Sequence, residues 1–383
     1  MIETEYEPLL FYLLIPKYML HTHYMRMWRV FAGVECGVMK IFLKIVSLII
    51  LISSSLIIHQ NLTYDNNTLT NEYISLSYSL YDNPDDEFDI GTQIYHYDIG
   101  TDEVKKVFRF EYTSQYPLGV YDKKENVVYY SKRVDDDVYK GDQIFKYYID
   151  TDKEEQLTTN LFAVNYIIPF CNRVYFVGVE KNSSILKLGF IDQITKEIAY
   201  WQDDGDTTIE TFVVNNVNNK IYISAYSNAE MDYNLQHQSE IPGQENFTMP
   251  RHTVYETDSN FSETRKLFSE EHMWIRMLLT NDTKILALCD RMYNKEELSK
   301  PIYMDTASNE FLDFEIPPYR IQRGDANFSA DGKGIYTLSD VYSITNDGVE
   351  NRGIYYYDLE TKIYTPLLIQ TDGFINNFTV IKY

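Results

Sequence analysis

The sequence predicts an all-β chain: a six-bladed β-propeller whose last strand closes the first blade, preceded by an N-terminal transmembrane or signal helix. Three observations carry this. Two strand motifs alternate, six copies of each, at a period of roughly 50 residues. The chain holds 35 Tyr and 20 Phe against 3 Trp, a composition that suits pleated, half-buried surfaces. One 18-residue apolar run, Ile41 to Ile58, stands ahead of all the repeats.

The first motif is a turn followed by an alternating strand. It starts at Asn71, Asn126, Asn172, Asn219, Thr283 and Lys333, with separations of 55, 46, 47, 64 and 50 residues. The second is an apolar strand ending in Asp and a polar turn. It ends at Asp98, Asp150, Asp192, Asp258, Asp305 and Asp358, with separations of 52, 42, 66, 47 and 53 residues. Strict alternation gives each unit about four short strands, the content of a propeller blade. The long interval falls at the same place in both series, so one insertion in the fourth unit, Asn228 to Pro250, explains both. The first unit lacks an innermost strand, and the chain ends on Asn377-Phe-Thr-Val-Ile-Lys-Tyr, a strand without a unit. That strand is expected to complete blade one and so remove an exposed sheet edge. A β-sandwich or a seven-bladed ring competes, but no seventh copy is present. The Asp at the hairpin ends (Asp98, Asp150, Asp192, Asp305 and Asp358) is expected to bond its own turn backbone.

The apolar run would span roughly 27 Å as a helix, close to the roughly 30 Å core of a bilayer. Lys17, Arg26, Arg29, Lys40 and Lys44 precede or open it, and the next basic residue is Lys105. The positive-inside rule then places the N-terminus in the cytoplasm and the rest outside. No A-x-A site follows, which favours an uncleaved signal anchor over a cleaved signal peptide. The expected organisation is a cytoplasmic tail or mis-assigned start over 1–38, the anchor or signal over 39–59, a linker over 60–70 and the propeller over 71–383. The protein is expected in the cell membrane as a single-pass chain with its C-terminal domain outside, or secreted if the signal is cleaved.

Net charge is −23, and residues 1–59 contribute only 5 basic and 4 acidic residues, so the acidity belongs to the propeller. An acidic surface excludes nucleic acid as a partner, whose binders carry a basic footprint. Cys36, Cys171 and Cys289 form neither a disulfide framework nor a zinc pattern. Cys171 and Cys289 are expected to be buried, unpaired thiols.

One stretch resembles a known family. Asn327-Phe-Ser-Ala-Asp-Gly-Lys-Gly-Ile-Tyr-Thr-Leu is similar to the F-S-x-D-G-K-x-I-x-F repeat of TolB-type propellers, with Asp331-Gly332 at the tight turn between the two inner strands. The copies at Val120-Tyr-Asp-Lys-Lys-Glu-Asn-Val and Leu279-Thr-Asn-Asp-Thr-Lys-Ile are degenerate. The resemblance covers roughly residues 71–383. In place of the α/β domain that precedes the propeller in TolB, this chain has its anchor and linker. It therefore looks more like the anchored single-propeller proteins of Gram-positive bacteria. The resemblance implies a fold and an address rather than a mechanism.

In a propeller the loops joining second to third strands, and last strands to the next blade, open on one face. Acidic clusters fall in those loops: Asp85, Asp86 and Asp89 in blade one, Asp135, Asp136 and Asp137 in blade two, and Asp203, Asp204 and Asp206 after blade three. The blade-four insertion belongs to the same face, flanked by His237 and His252. This acidic rim is the candidate binding site. Clustered carboxylates suit Ca²⁺, although Asp203-Asp-Gly-Asp lacks the spacing of an EF-hand loop. There is no G-x-S-x-G, H-E-x-x-H, P-loop or G-x-G-x-x-G, and no catalytic residue can be nominated. The leading expectation is a non-catalytic extracytoplasmic module binding a protein, peptide or glycan at the cell surface. The alternatives are a propeller hydrolase or lyase acting on envelope or extracellular glycans, and an envelope sensor subunit.

Overall fold

The computed structural model describes residues 72–81, 90–111, 117–134, 141–237, 248–290, 299–315, 321–342, 350–369 and 373–382. The tail over 1–38, the anchor over 39–59, the linker over 60–70, and Asp85, Asp86, Asp89, Asp135, Asp136 and Asp137 of the rim lie outside the described residues. Among the described residues no helix is long and apolar enough to cross a membrane.

The strands form six antiparallel sheets of four. Blade one contributes β1 (Glu72–Tyr81), β2 (Ile90–Asp98) and β3 (Glu103–Glu111); blade two is β4 (Gly119–Asp122), β5 (Val127–Arg133), β6 (Asp142–Tyr148) and β7 (Lys153–Gln156). Blade three is β8 (Leu161–Phe170), β9 (Arg173–Glu180), β10 (Leu186–Asp192) and β11 (Ile198–Tyr200). Blade four is β12 (Thr207–Asn215), β13 (Lys220–Ser227), β14 (His252–Asp258) and β15 (Thr264–Glu270), with helix α1 (Asn228–His237) between β13 and β14. Blade five is β16 (Trp274–Asn281), β17 (Lys284–Asp290), β18 (Lys300–Asp305) and β19 (Glu310–Leu312). Blade six is β20 (Ile321–Phe328), β21 (Gly334–Tyr342), β22 (Glu350–Asp358) and β23 (Tyr364–Ile369), and the final strand is β24 (Phe374–Lys382). β24 joins blade one as its innermost strand, in the order β24-β1-β2-β3. The closure and the blade-four insertion are as the repeat spacing predicts.

The aromatic composition follows from this stacking. Six apolar clusters among the described residues each bridge two adjacent blades. Successive side chains of a strand point to opposite faces, so a strand inside a stacked blade buries both. In β9, Val174 and Phe176 pack towards blade two while Tyr175 and Val177 pack towards blade four. In β5, Val127 and Tyr129 face blade three while Val128 and Tyr130 face blade one. Tyr is suited to this role because its hydroxyl can reach out of the core to a partner: the Tyr175 hydroxyl donates to Ser259 O at 2.6 Å. The outermost strands are exposed and charged, as in the Lys-Glu-Glu-Gln of β7.

The turns explain the recurring Asn and Asp. Asn126, Asn172, Asn219, Asp282 and Gly332 sit at positive φ between first and second strands, a region open mainly to Gly and the short polar residues. Asp331-Gly332 makes that turn in blade six, with the Gly332 N–H on Ser329 O at 3.0 Å. At the third turn, Oδ1 of Asp98, Asp192, Asp258, Asp305 and Asp358 accepts two backbone N–H bonds from its own turn. Asp150 departs from this expectation. In blade two the turn begins at Tyr148, whose carbonyl accepts from Asp152 N at 3.0 Å, so Asp150 comes two residues late. Its carboxylate instead accepts from Asn126 Nδ2 at 2.7 Å. Cys171 also differs from expectation: it is exposed, because it shares a two-residue hairpin turn with Asn172 at positive φ. Cys289 is buried, as the sequence implies.

Candidate functional site

Chain direction fixes what shares a face. The innermost strand of each blade runs away from the loop that enters it. The β11–β12 turn, the β9–β10 turn and the β13–β14 insertion therefore open on one face, with the free ends of β1 and β8 and the start of β24. The turn holding Asp203, Asp204 and Asp206 lies here, as predicted, beside α1.

Each of these three carboxylates is committed within the fold. Asp203 Oδ1 pairs with Lys187 Nζ at 2.6 Å, and Glu180 holds the same ammonium at 2.7 Å. Asp204 accepts from the backbone N–H of Asp206 and Thr207 at 2.9 and 2.8 Å, and from the Thr207 hydroxyl at 2.6 Å. Partial burial raises its pKa, but these hydrogen bonds outweigh that and hold the carboxyl below the usual carboxylate range. Asp206 accepts from Ala229 N and the Ser227 hydroxyl, both at 2.7 Å. No group of three or more His, Cys, Asp or Glu side chains that could hold a metal ion occurs among the described residues.

Asp206 and Ser227 build the start of α1. Ser227 Oγ accepts from Glu230 N at 3.1 Å, the first half of an S-x-x-E capping box. Glu230 does not turn back to complete the box. Its Oε1 accepts from Arg251 N at 3.0 Å, where the insertion returns to the blade. Asn234 Nδ2 donates to Thr248 O at 3.1 Å, so the returning chain is tied a second time. α1 buries none of its residues. Tyr233 and Leu235 are 60% and 50% exposed, values unusual for large apolar side chains on a helix. His237 stays on this surface, stacked on Tyr233 at 4.0 Å. His252 does not, despite its position beside the insertion: as the first residue of β14 it is fully buried, with its ring 4.8 Å from Tyr226 and Nδ1 3.1 Å from Pro250 O. Burial pushes its pKa down to about 4. Tyr81, Phe162 and Phe374 add exposed aromatic rings to the same face, Phe374 beneath the Arg352 guanidinium at 4.2 Å.

The ring centre holds a second feature that sequence reasoning does not reach. A cavity of about 300 Å³ is lined from all six blades. β-Bulges insert one extra residue at Asn165 in β8, Glu210 in β12 and Asn376 in β24, each of which lines this cavity. Another bulge, at Arg276 in β16, serves another purpose: its guanidinium bonds Asp290 and Ser299. Bulges re-aim side chains and are common beside functional sites. Glu210 is the single carboxylate among the described lining residues.

No family model matches the chain, and no curated protein matches it. Solved structures do. TolB from Acinetobacter baumannii aligns with a TM-score of 0.51 at 14% identity, covering 84% of this chain and 69% of that one. A chain of a nidogen/laminin complex gives 0.49 at 9%, covering 81% and 98%. The β-propeller domain of the Trilobed protease from Pyrococcus furiosus, described as having an open velcro topology, gives 0.45 at 12%, covering 76% and 78%. At these identities the likeness is one of fold alone, that of a six-bladed β-propeller.

Proposed function

We propose that this chain is a non-catalytic binding module, held at the outer surface of a membrane by residues 41–58, which presents the α1 face of its propeller to a protein or peptide partner. The observation that carries this reading is the exposure of Tyr233 and Leu235 on α1, with Tyr81, Phe162 and Phe374 exposed on the same face. Aromatic side chains on a rigid scaffold are the usual anchors of protein interfaces. α1 is pinned at its start and again through Asn234, yet buries nothing of its own, so its apolar side chains are free to be covered by another molecule. A chain of net charge −23 attracts a basic partner and steers its approach.

The test places a photo-crosslinking amino acid at Tyr233 in the full-length chain on intact cells. The control places it at Ile194, which is 82% exposed on the opposite face. A discrete protein adduct at Tyr233 and none at Ile194 supports the reading. Equal labelling at both positions, or none at either, removes it. Protease added to the same cells checks the topology, because the propeller is expected to be cut without lysis.

A further inference from the structure

We infer that the central cavity is a ligand site separate from the α1 face, and that it takes a neutral saccharide of one or two rings. The cavity volume of about 300 Å³ lies at the lower end of the range for small-molecule sites, roughly 300–1,000 Å³. Its polar groups are the Glu210 carboxylate, the hydroxyls of Thr211 and Thr379, and four carboxamides drawn from blades three, six and one: Asn165, Asn327, Asn376 and Asn377. Two of the carboxamides make no hydrogen bond to another described residue, namely Asn165 and Asn327, both half-buried. The other two are used on one side only. Asn376 Nδ2 donates to Ser79 Oγ at 2.8 Å, which leaves its carbonyl. Asn377 Oδ1 accepts from Ser77 Oγ, which leaves its amino group.

The cavity therefore offers both donors and acceptors at close spacing. Between them lie apolar surfaces from Phe212, Phe378 and Leu278. A sugar ring has the complementary form, since each hydroxyl both donates and accepts while the C–H faces are apolar. Among the described residues no Lys or Arg lines the cavity, which disfavours an anion. The one carboxylate among the described lining residues, Glu210, already has a partner within the protein, which leaves no uncommitted charge there for a cation. The bulges at Asn165 and Asn376 strengthen the case. Each admits one extra polar residue to a core strand at the cavity wall, the re-aiming of side chains that bulges provide beside functional sites.

The experiment uses the purified full-length chain in a sugar-free detergent. Glucose, galactose, mannose, N-acetylglucosamine, maltose and cellobiose are titrated by calorimetry, with glucuronate and glucosamine as charged controls. The expected result is saturable binding of at least one neutral sugar, weakened about tenfold in Asn165→Leu and in Asn327→Leu, as loss of a buried hydrogen bond to ligand predicts. The melting temperature of each unliganded variant should match the parent, because neither carboxamide supports the fold. Asn165→Gln, which keeps the amide, should retain part of the affinity. Binding to no neutral sugar, binding to the charged controls alone, or unchanged affinity in both Leu variants would overturn the inference. None of these results bears on the α1 face, whose crosslinking test reads a different surface.

Discussion

The ring closes where the last strand meets the first, and one carboxylate latches that seam. Glu72 opens β1 and is only 3% exposed. It accepts from Ala330 N at 2.7 Å and from the Tyr336 hydroxyl at 3.0 Å, so a side chain of blade one holds the inner hairpin of blade six. Lys382 of β24 is its register partner. Glu72→Ala removes both acceptors and leaves the Ala330 N–H and the buried Tyr336 hydroxyl without their partner. Bonds to charged groups are worth about 1.5–3 kcal/mol each and the orphaned partners add to the loss, so a destabilisation of about 3–5 kcal/mol is expected. That corresponds to a fall of about 5 °C or more in melting temperature for a domain of this size. Glu72→Gln should cost less, because one oxygen still accepts. The two variants also separate charge from hydrogen bonding. Burial raises the Glu72 pKa, against the pull of Tyr336, Ala330 and Lys382. A carboxyl whose folded pKa is raised contributes stability that is present below its unfolded pKa and is lost as pH rises through the folded value. The parent should therefore gain stability relative to Glu72→Gln as pH is lowered from neutral towards the ordinary glutamate value of 4.5. Urea titrations of the full-length chain at several pH values read both effects, and hydrogen exchange of the β24 amides locates the opening. A loss below about 1 kcal/mol for Glu72→Ala, the scale of one neutral hydrogen bond, would refute the latch. A parent-to-Gln difference that does not change with pH would refute the assignment of a raised pKa.

Three further outcomes concern the α1 face and the buried His252 next to it. Asp206→Ala removes the acceptors of Ala229 N and the Ser227 hydroxyl, and should cost about 1–2 kcal/mol, as lost helix caps do, with faster limited proteolysis between 228 and 250 than in the parent. His252 is buried with its pKa lowered to about 4, so its neutral form contributes stability that is lost as pH falls from the ordinary histidine value of 6.5 towards 4. His252→Phe should flatten acid unfolding in that window, measured by melting temperature against pH. Asp203, Asp204 and Asp206 already serve Lys187, Thr207 and α1. Any melting shift produced by millimolar Ca²⁺ should therefore be the same in Asp203→Asn as in the parent. A shift abolished by that substitution would make this turn a cation site.

The architecture was legible because each blade repeats the same physical problem. A strand stacked between two neighbours must be apolar on both faces, which is why Val-Tyr-Phe-Val in β9 reads as a continuous run. A two-residue or four-residue turn here places at least one residue at positive φ, which is why Asn recurs at 126, 172 and 219. The insertion was legible as a delay common to both motif series. Departures from the reading have local causes. Asp150 fails as a capping residue because its turn begins at Tyr148, a shift that spacing alone does not reveal. Cys171 is exposed because a tight hairpin displays its central residues whatever their chemistry. His252 looks like a loop histidine in sequence, and the start of β14 lies two residues earlier than its apolar pattern, which begins at Val254, suggests.

The cavity was illegible for a different reason. Asn165, Glu210 and Asn376 each sit in a strand whose pairing slips by one residue at that point. In a linear reading such a residue is a polar interruption of an otherwise apolar run, and it weakens the strand assignment without suggesting a site. Only the pairing shows that two residues face one partner, so that the extra side chain can be turned to the cavity wall. The same slip is what relieves the conflict, since a strand kept in strict register would carry each polar group to one face of the packed blade. Three blades make this substitution at corresponding depth while a fourth, at Arg276, directs its extra residue to Asp290 and Ser299. The polar character of the channel is thus a property of a few inserted residues rather than of whole strands. It can change without disturbing the inter-blade clusters that hold the ring together.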